Sequence, residues 1–102
     1  VCSSDLKLSH AGVTLDSSSC KVSANQKSVE LTKNELRILS LLMQNAGTVV
    51  SRQRIQEELW QSDEFVDDNT LTVNISHLRN TLASIGVEDF VMTRRGLGYV
   101  IE

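Results

Sequence analysis

Residues 67–85 read DDNTLTVNISHLRNTLASI, and this stretch decides the fold. Its apolar side chains recur at alternating steps of four and three residues, at Leu71, Ile75, Leu78, Leu82 and Ile85. This spacing matches the helical period of about 3.6 residues and places all five side chains on one face. The stretch therefore predicts a helix over about 68–85 that packs its apolar face against the rest of the domain.

The opposite face of this predicted helix is polar and carries Thr70, Val73, Asn74, His77 and Thr81. Arg79 is the only formally charged residue between Asn69 and Val87. A solvated helix face normally carries Lys and Glu, which keep it soluble and form spaced ion pairs. Amides, hydroxyls, an imidazole and an arginine are instead typical of a surface that binds a polyanion and recognises its donor and acceptor groups through hydrogen bonds. A polar face that binds nothing is the alternative interpretation.

Length and composition indicate a single globular domain of 102 residues, 40% hydrophobic and 23% charged. No apolar run approaches the roughly 20 residues that a membrane span needs, and no segment resembles a signal peptide. The two cysteines, Cys2 and Cys20, lack the spacing of a metal site, and we do not expect a framework disulfide. A reducing, cytoplasmic location is therefore predicted.

Charge is segregated along the chain, whose net charge is −3. Six carboxylates and no Lys or Arg lie between Glu57 and Asp68. The remaining sequence has ten basic and seven acidic residues, so it is weakly cationic. Such segregation suits a protein that presents two different surfaces to two different partners.

The N-terminal third reads as a meander of strands. Residues 1–5 join none of the later patterns and are predicted to be a leader or an expression remnant outside the fold. From Leu6 to Leu31 the apolar residues come in alternating pairs separated by turn residues: Leu6 and Leu8, Val13 and Leu15, Cys20 and Val22, Val29 and Leu31. This pattern predicts four short antiparallel strands with one apolar face.

Two helices follow the predicted strands. Thr32 and Glu35 have the spacing of a capping box, and the leucine-rich segment after them is predicted to form a central helix that ends before Gly47. Ser51 is a good N-cap for a second helix, from Arg52 to about Trp60. Trp60 itself is expected to pack in the core or at its edge. With the helix at 68–85, these elements form a helix-turn-helix arrangement.

The C-terminal residues, about 90–101, read as a β-hairpin. Two β-rich runs flank a bend that holds Arg94, Arg95 and two glycines, Gly96 and Gly98. A Gly-x-Gly sequence can also cradle a phosphate in nucleotide enzymes, but the strand–loop–helix context for that role is missing. The hairpin is therefore predicted to project positive charge from a short rigid loop, with a plain solvated turn as the alternative.

Three segments together resemble a known family: residues 31–60 (LTKNELRILSLLMQNAGTVVSRQRIQEELW), residues 67–82 (DDNTLTVNISHLRNTL) and residues 92–102 (MTRRGLGYVIE). They are similar to the C-terminal DNA-binding effector domain of OmpR/PhoB-family response regulators. The resemblance covers nearly all of residues 6–102. It implies an α+β fold, a winged helix-turn-helix with an N-terminal four-stranded antiparallel sheet, three helices and a C-terminal β-hairpin wing.

The resemblance implies sequence-specific binding to double-stranded DNA, with the third helix in the major groove and the wing on the minor groove or backbone. Asn74 and His77 match positions that reach base edges, and Val73 is placed to contact a thymine methyl group. The full set of implied DNA-binding residues is Asn69, Thr70, Val73, Asn74, Ser76, His77, Arg79, Thr93, Arg94 and Arg95. Many family members have arginine where this chain has Ser76 and His77, so phosphate anchoring by the third helix is expected to be weaker.

The resemblance also implies protein partners. The acidic loop of residues 61–67 matches the segment that faces RNA polymerase in the family, namely Gln61, Ser62, Asp63, Glu64, Phe65, Val66 and Asp67. A full-length regulator would add a phosphorylatable receiver domain, which this sequence lacks, together with a sensor histidine kinase and a homodimer partner on tandem direct repeats. The alternative is a winged-helix protein–protein interaction module that acts through the acidic residues 61–68.

An enzymatic role has no support in the sequence. His10 and His77 lie in different contexts, and neither a nucleophile–base pair nor a metal-spaced cluster of His and Cys is visible. The sequence therefore predicts no catalytic residue, no metal and no cofactor. The serines at 17–19 are interpreted as turn residues because no activating base accompanies them.

Overall fold

The computed structural model describes residues 7–60, 68–88 and 90–101. Within these ranges the chain forms six strands and three helices: β1 (Lys7–His10), β2 (Val13–Asp16), β3 (Lys21–Ala24), β4 (Lys27–Glu30), α1 (Lys33–Gln44), α2 (Arg52–Trp60), α3 (Asp68–Ser84), β5 (Val91–Arg94) and β6 (Gly98–Ile101). The predicted α+β order of four strands, three helices and a terminal hairpin is confirmed. The segments 1–5 and 61–67, predicted to be a leader and a partner loop, lie outside the described residues.

The N-terminal sheet is an antiparallel meander in which β1 to β4 lie in chain order. Ala11 and Gly12 form the two-residue turn between β1 and β2, and both have positive φ, at 52° and 82°. Two consecutive left-handed residues match the twist of paired strands. The inner face of the sheet contributes Val13, Leu15 and Val22 to the core, where each is at most 2% exposed. The sheet therefore forms the platform on which the helices pack.

One part of the strand prediction is wrong, and it concerns Cys20. Cys20 was paired with Val22 on the inner face, but it lies in the turn before β3 with φ at 56°. Asp16 Oδ1 accepts the backbone N–H groups of Ser18 and Ser19 at 2.9 and 3.4 Å, which tightens this turn. The inward partner of Val22 is instead Ala24, which is buried at the end of β3.

α1 begins and ends as its sequence predicts. Thr32 Oγ1 accepts the Glu35 backbone N–H at 3.2 Å, and Glu35 Oε1 accepts the Thr32 backbone N–H at 3.1 Å, so the capping box is complete. Glu35 is buried, and this hydrogen bond satisfies its carboxylate. After the helix, Gly47 adopts φ of 85°, a left-handed conformation that glycine takes at low cost. α1 packs against α2, α3, β1 and β6 and is the central helix of the domain.

The replacement Thr32→Ala is expected to lower the free energy of unfolding by about 1 kcal/mol, because it leaves the Glu35 N–H without its side-chain acceptor. Urea denaturation followed by circular dichroism measures this change. Thr48→Ala is the matched control, since Thr48 is exposed and lies outside the capping box. Equal effects of the two replacements would contradict a stabilising role for the cap.

α2 is short and packs through two residues. Ser51 Oγ accepts the Arg54 backbone N–H at 3.2 Å, which confirms the predicted N-cap, and Ile55 and Leu59 are buried. Two positions were predicted for Trp60, the core or its edge, and the core is excluded because Trp60 is 44% exposed. As the last residue of α2, Trp60 therefore presents part of its ring at the surface next to the acidic segment.

Candidate nucleic-acid interface

α3 is 17 residues long and lies with its apolar face on α1 and α2. The five predicted core residues are all buried, with exposures of 0 to 3%: Leu71, Ile75, Leu78, Leu82 and Ile85. This burial confirms the helical period that the sequence indicated. It also fixes which side of the helix remains outside, because residues between these positions must point away from the core.

The outer face of α3 carries most of the predicted DNA-binding residues of this helix. Exposed positions are Asn69, Thr70, Val73, Ser76, His77 and Arg79, and Asn80 is exposed beside them although it was not predicted as a site residue. Val73 is 50% exposed, so its apolar side chain is accessible on this face. From Asn69 to Ser84 this helix contains no carboxylate, so no negative charge on this segment opposes a polyanion.

Asn74 differs from the other predicted site residues of α3 because it is half-buried on the flank of the helix. Its Nδ2 atom donates a hydrogen bond to the backbone carbonyl oxygen of Thr70 at 2.9 Å. One amide N–H is used in this way, while Oδ1 and the second N–H stay available. An asparagine that binds adenine in bidentate fashion uses these two groups, and the hydrogen bond to Thr70 leaves both of them unoccupied.

The wing holds the remaining predicted residues. β5 and β6 pair with Thr93 opposite Tyr99 and with Arg94 opposite Gly98, and residues 95–97 form the turn between them. Thr93 and Arg95 are exposed, whereas Arg94 is half-buried. Leu97 is 62% exposed at the tip, the most exposed of the large apolar residues in the described part of the chain. The wing therefore presents a cation and an apolar side chain together.

Backbone hydrogen bonds fasten the wing to the turn between α1 and α2. Val50 and Tyr99 exchange two of them, with N···O distances of 2.7 and 2.9 Å, and the Gly47 N–H donates to the Ile101 carbonyl at 2.7 Å. Val50 and Tyr99 thus form an isolated antiparallel β-bridge. These bonds join the wing directly to the segment between α1 and α2.

This connection creates a cationic cleft that the sequence alone did not reveal. A cleft of about 200 Å³ lies between the start of α2 and the wing, and its lining includes three arginines, Arg52, Arg94 and Arg95. Arg52 is more than forty positions from Arg94 and Arg95 in the chain. It reaches the wing because Ser51 lies directly against Gly98. The only feature of the sequence that points to Arg52 is its position directly after Ser51, the N-cap of α2.

The described ranges contain no helix that is both long and apolar enough to span a lipid bilayer. Among the same residues, His, Cys, Asp and Glu side chains do not gather in groups of three or more that could hold a metal ion.

Residues 25–101 match the family described as transcriptional regulatory protein, C terminal. The chain belongs to this family. The resemblance to the OmpR/PhoB-type effector domain is thereby confirmed, and so is the winged helix-turn-helix fold. The family is one of transcriptional regulators of two-component systems.

Individual relatives agree with this membership. The chain is 40% identical over 89 residues to the sensory transduction protein BceR of Bacillus subtilis (strain 168), covering 87% of this chain and 38% of that protein. It superimposes on the C-terminal domain of the nisin resistance regulator NsrR, a lantibiotic response regulator, with a TM-score of 0.81 and 39% identity over 92% of this chain and 95% of that one. The DNA-binding domain of CpxR from E. coli gives a TM-score of 0.74 and 28% identity over 93% and 94% of the two chains.

Coverage differs between these relatives. The two structural relatives are isolated domains of nearly the same length as this chain. BceR is much longer, and the chain spans 38% of it. The chain therefore corresponds to part of BceR and to nearly the whole of each of the two isolated domains.

Proposed function

We propose that this domain binds double-stranded DNA sequence-specifically as the output domain of a two-component transcriptional regulator. The observation that carries the proposal is the outer face of α3, which is exposed, free of carboxylates from Asn69 to Ser84 and rich in hydrogen-bonding groups. The major groove of B-DNA is about 12 Å wide and admits one α-helix. In this arrangement Asn74 and His77 read base edges, and Val73 contacts a thymine methyl group.

The wing and its cleft supply the second part of the proposed interface. Arg52, Arg94 and Arg95 line one cleft, and the hydrogen bonds at Val50 hold it in fixed register with the helix-turn-helix. We propose that Thr93 and these arginines hold the phosphate backbone at the adjacent minor groove. Backbone contacts of this kind fix the register of a protein on DNA, while base contacts in the major groove specify the sequence.

Relatives support this proposal. CpxR is represented by a domain described as DNA binding, and NsrR is described as a response regulator. We propose that the full-length protein also carries a receiver domain, responds to a sensor histidine kinase and acts in the cytoplasm. The described part of the chain measures 33 by 30 by 22 Å, close to the helical turn of about 34–36 Å that separates half-sites. Two copies on tandem direct repeats one turn apart would therefore be neighbours, which suits a homodimer.

The acidic segment of residues 61–67 is proposed to contact RNA polymerase. Its sequence carries Asp63, Glu64 and Asp67 and no Lys or Arg. A negatively charged segment on a DNA-binding domain is repelled by the duplex, so it is suited to a protein partner.

Selection of bound sequences from randomised duplex DNA at roughly 50 mM salt tests the proposal, because phosphate contacts are least screened there. The expected result is an enriched motif repeated at about one helical turn. Recovery of no motif, with binding to an RNA polymerase subunit retained, would overturn DNA reading and favour a protein-interaction module that acts through residues 61–68.

Asn74→Ala and Arg95→Ala are expected to weaken DNA binding in two different ways. Asn74→Ala should reduce the binding free energy by about 1–3 kcal/mol through the loss of contact with one base pair of the selected motif, and it should weaken the base preference at that position. Arg95→Ala should weaken all sequences alike and reduce the slope of log affinity against log salt by about one. Fluorescence anisotropy on the selected duplex, on single-base variants and at several salt concentrations measures both effects.

Two controls separate these effects from general damage to the fold. Asn34→Ala and Arg37→Ala make the same chemical changes on α1, where Arg37 pairs with Glu58 at 3.9 Å. Both are expected to leave DNA affinity unchanged. If Asn74→Ala and Arg95→Ala behaved like these controls, the proposed roles of α3 and the wing would be wrong.

A further inference from the structure

The C-terminal end of α3 is tied to the N-terminal sheet by a side chain sixty positions away in sequence. Asn25 Nδ2 donates to the backbone carbonyl oxygen of Ile85 at 3.0 Å. Carbonyls at the end of a helix lack partners within the helix. Here the Val87 and Gly86 N–H groups donate to the carbonyls of Leu82 and Ala83, at 2.9 and 3.0 Å. Asn25 satisfies the Ile85 carbonyl that these bonds leave open.

The turn that carries Asn25 is itself conformationally fixed. Asn25 and Gln26 have φ of 52° and 63° and connect Ala24 and Lys27, which pair across β3 and β4. Two left-handed residues in a two-residue hairpin turn follow the strand twist, and asparagine takes the left-handed conformation more readily than most residues. The amide of Asn25 is therefore presented to α3 by a short turn with little freedom.

Gly86 completes this contact from the side of the helix. It has φ of 85°, and a Cβ atom at this position would lie 2.7 Å from Asn25 Nδ2. Real Cβ atoms do not approach other atoms so closely, so a side chain here would push the amide away. The glycine thus ends α3 in a left-handed conformation and also leaves room for the amide of Asn25.

We propose that Asn25 is a positioning residue for DNA reading, which sets the angle of α3 in the major groove; this inference rests on the proposed function. α3 packs chiefly on α1 and α2, whereas Asn25 fixes its far end to the sheet. Val73 lies about 18 Å along the helix from Ile85. A tilt of about 5° at that end would move Val73 by more than 1 Å, which is enough to break the geometry of a base contact.

The replacement Asn25→Gly tests this role because it removes the amide while keeping a residue that accepts positive φ. Gln26→Gly is the matched control in the same turn, since Gln26 also has positive φ and is exposed. Asn25→Asp is a second variant that keeps the side-chain shape and replaces the donor by an oxygen. That oxygen would face a carbonyl at the negative end of the helix, so it should release α3 as well.

Two readouts distinguish positioning from a general loss of stability. The first is the ratio of affinities for the selected duplex and for a duplex changed at one base pair read by α3. A smaller folded fraction lowers both affinities equally and leaves the ratio unchanged. The second is amide hydrogen exchange at Gly86 and Val87, compared with exchange in α1.

Asn25→Gly and Asn25→Asp are expected to reduce the affinity ratio by about fivefold, the lower end of the discrimination that one base contact contributes. Exchange at Gly86 and Val87 should accelerate by about tenfold in both variants, while α1 is unchanged. Gln26→Gly should match wild type in both measurements. If the wild type binds the selected duplex selectively and both Asn25 variants keep the wild-type affinity ratio, only the positioning role is overturned. Absence of selective binding by the wild type would overturn the proposed function and, with it, this inference.

Discussion

Gly98→Ala is expected to lower the free energy of unfolding by about 3 kcal/mol or more and to abolish measurable DNA binding. The Cβ atom of an alanine at this position would overlap the Val50 carbonyl oxygen and lie 2.8 Å from Ser51 Cα. Both are backbone atoms, and the hydrogen bonds between Val50 and Tyr99 hold them in place. Gly98 also has φ of 148°, which an alanine rarely adopts.

Loss of DNA binding follows from the same contact. Relief of the overlap requires β6 to move away from the turn that begins α2, which separates Arg52 from Arg94 and Arg95. Urea denaturation measures the stability change, and anisotropy on the selected duplex measures the binding change.

Gly96→Ala is the matched control for this replacement. Gly96 lies in the same wing with φ of 71°, but a Cβ there would meet no atom within 4 Å. Gly96→Ala is therefore expected to lower the free energy of unfolding by only about 1–2 kcal/mol, the cost of the left-handed conformation. If the two alanine variants were equally stable, the close approach of β6 to Val50 would not be a determinant of the fold.

Leu78→Ala is expected to destabilise the domain by about 2–5 kcal/mol. Leu78 is fully buried at the centre of the apolar face of α3. Its truncation removes packing and leaves a cavity beneath the helix. Small domains have total stabilities of about 5–15 kcal/mol, so this single change threatens the folded state. The measurement is urea denaturation of wild type and variant.

Leu97→Ala makes the same chemical change at the wing tip, where the leucine is 62% exposed. Its effect on stability is expected to stay within about 0.5 kcal/mol. A large effect of Leu97→Ala, or a negligible effect of Leu78→Ala, would contradict the assignment of the core and the surface of the domain.

Local patterns predicted the helices well because each pattern has a local physical cause. The capping box at Thr32 and the N-cap at Ser51 satisfy backbone groups a few residues away, so their partners are visible in the sequence. The spacing of the apolar residues in α3 directly indicates which face of this helix is buried. These features depend on short-range hydrogen bonds and on helical period alone.

Features that depend on long-range contacts were not predicted. The misplacement of Cys20 is the exception and has a local cause, because Asp16 accepts hydrogen bonds from the backbone two and three residues later and the turn extends to Cys20. Arg52 was missed as a member of the cationic cleft because the link between Val50 and Tyr99 is made between distant segments. The hydrogen bond between Asn25 and Ile85 is of the same kind. The sequence contains the residues that make these contacts, but it does not show that they lie close together in space.

The single cation on the outer face of α3 has a consequence for how the domain finds its target. Arg79 is the only charged residue on that helix after Asp68, so α3 itself displaces few counterions from any duplex it meets. Under the proposed function, the sequence-independent grip on DNA therefore comes mainly from Arg52, Arg94 and Arg95 at the wing. A longer residence time at the target then depends on the correct bases under α3, together with a second copy bound alongside.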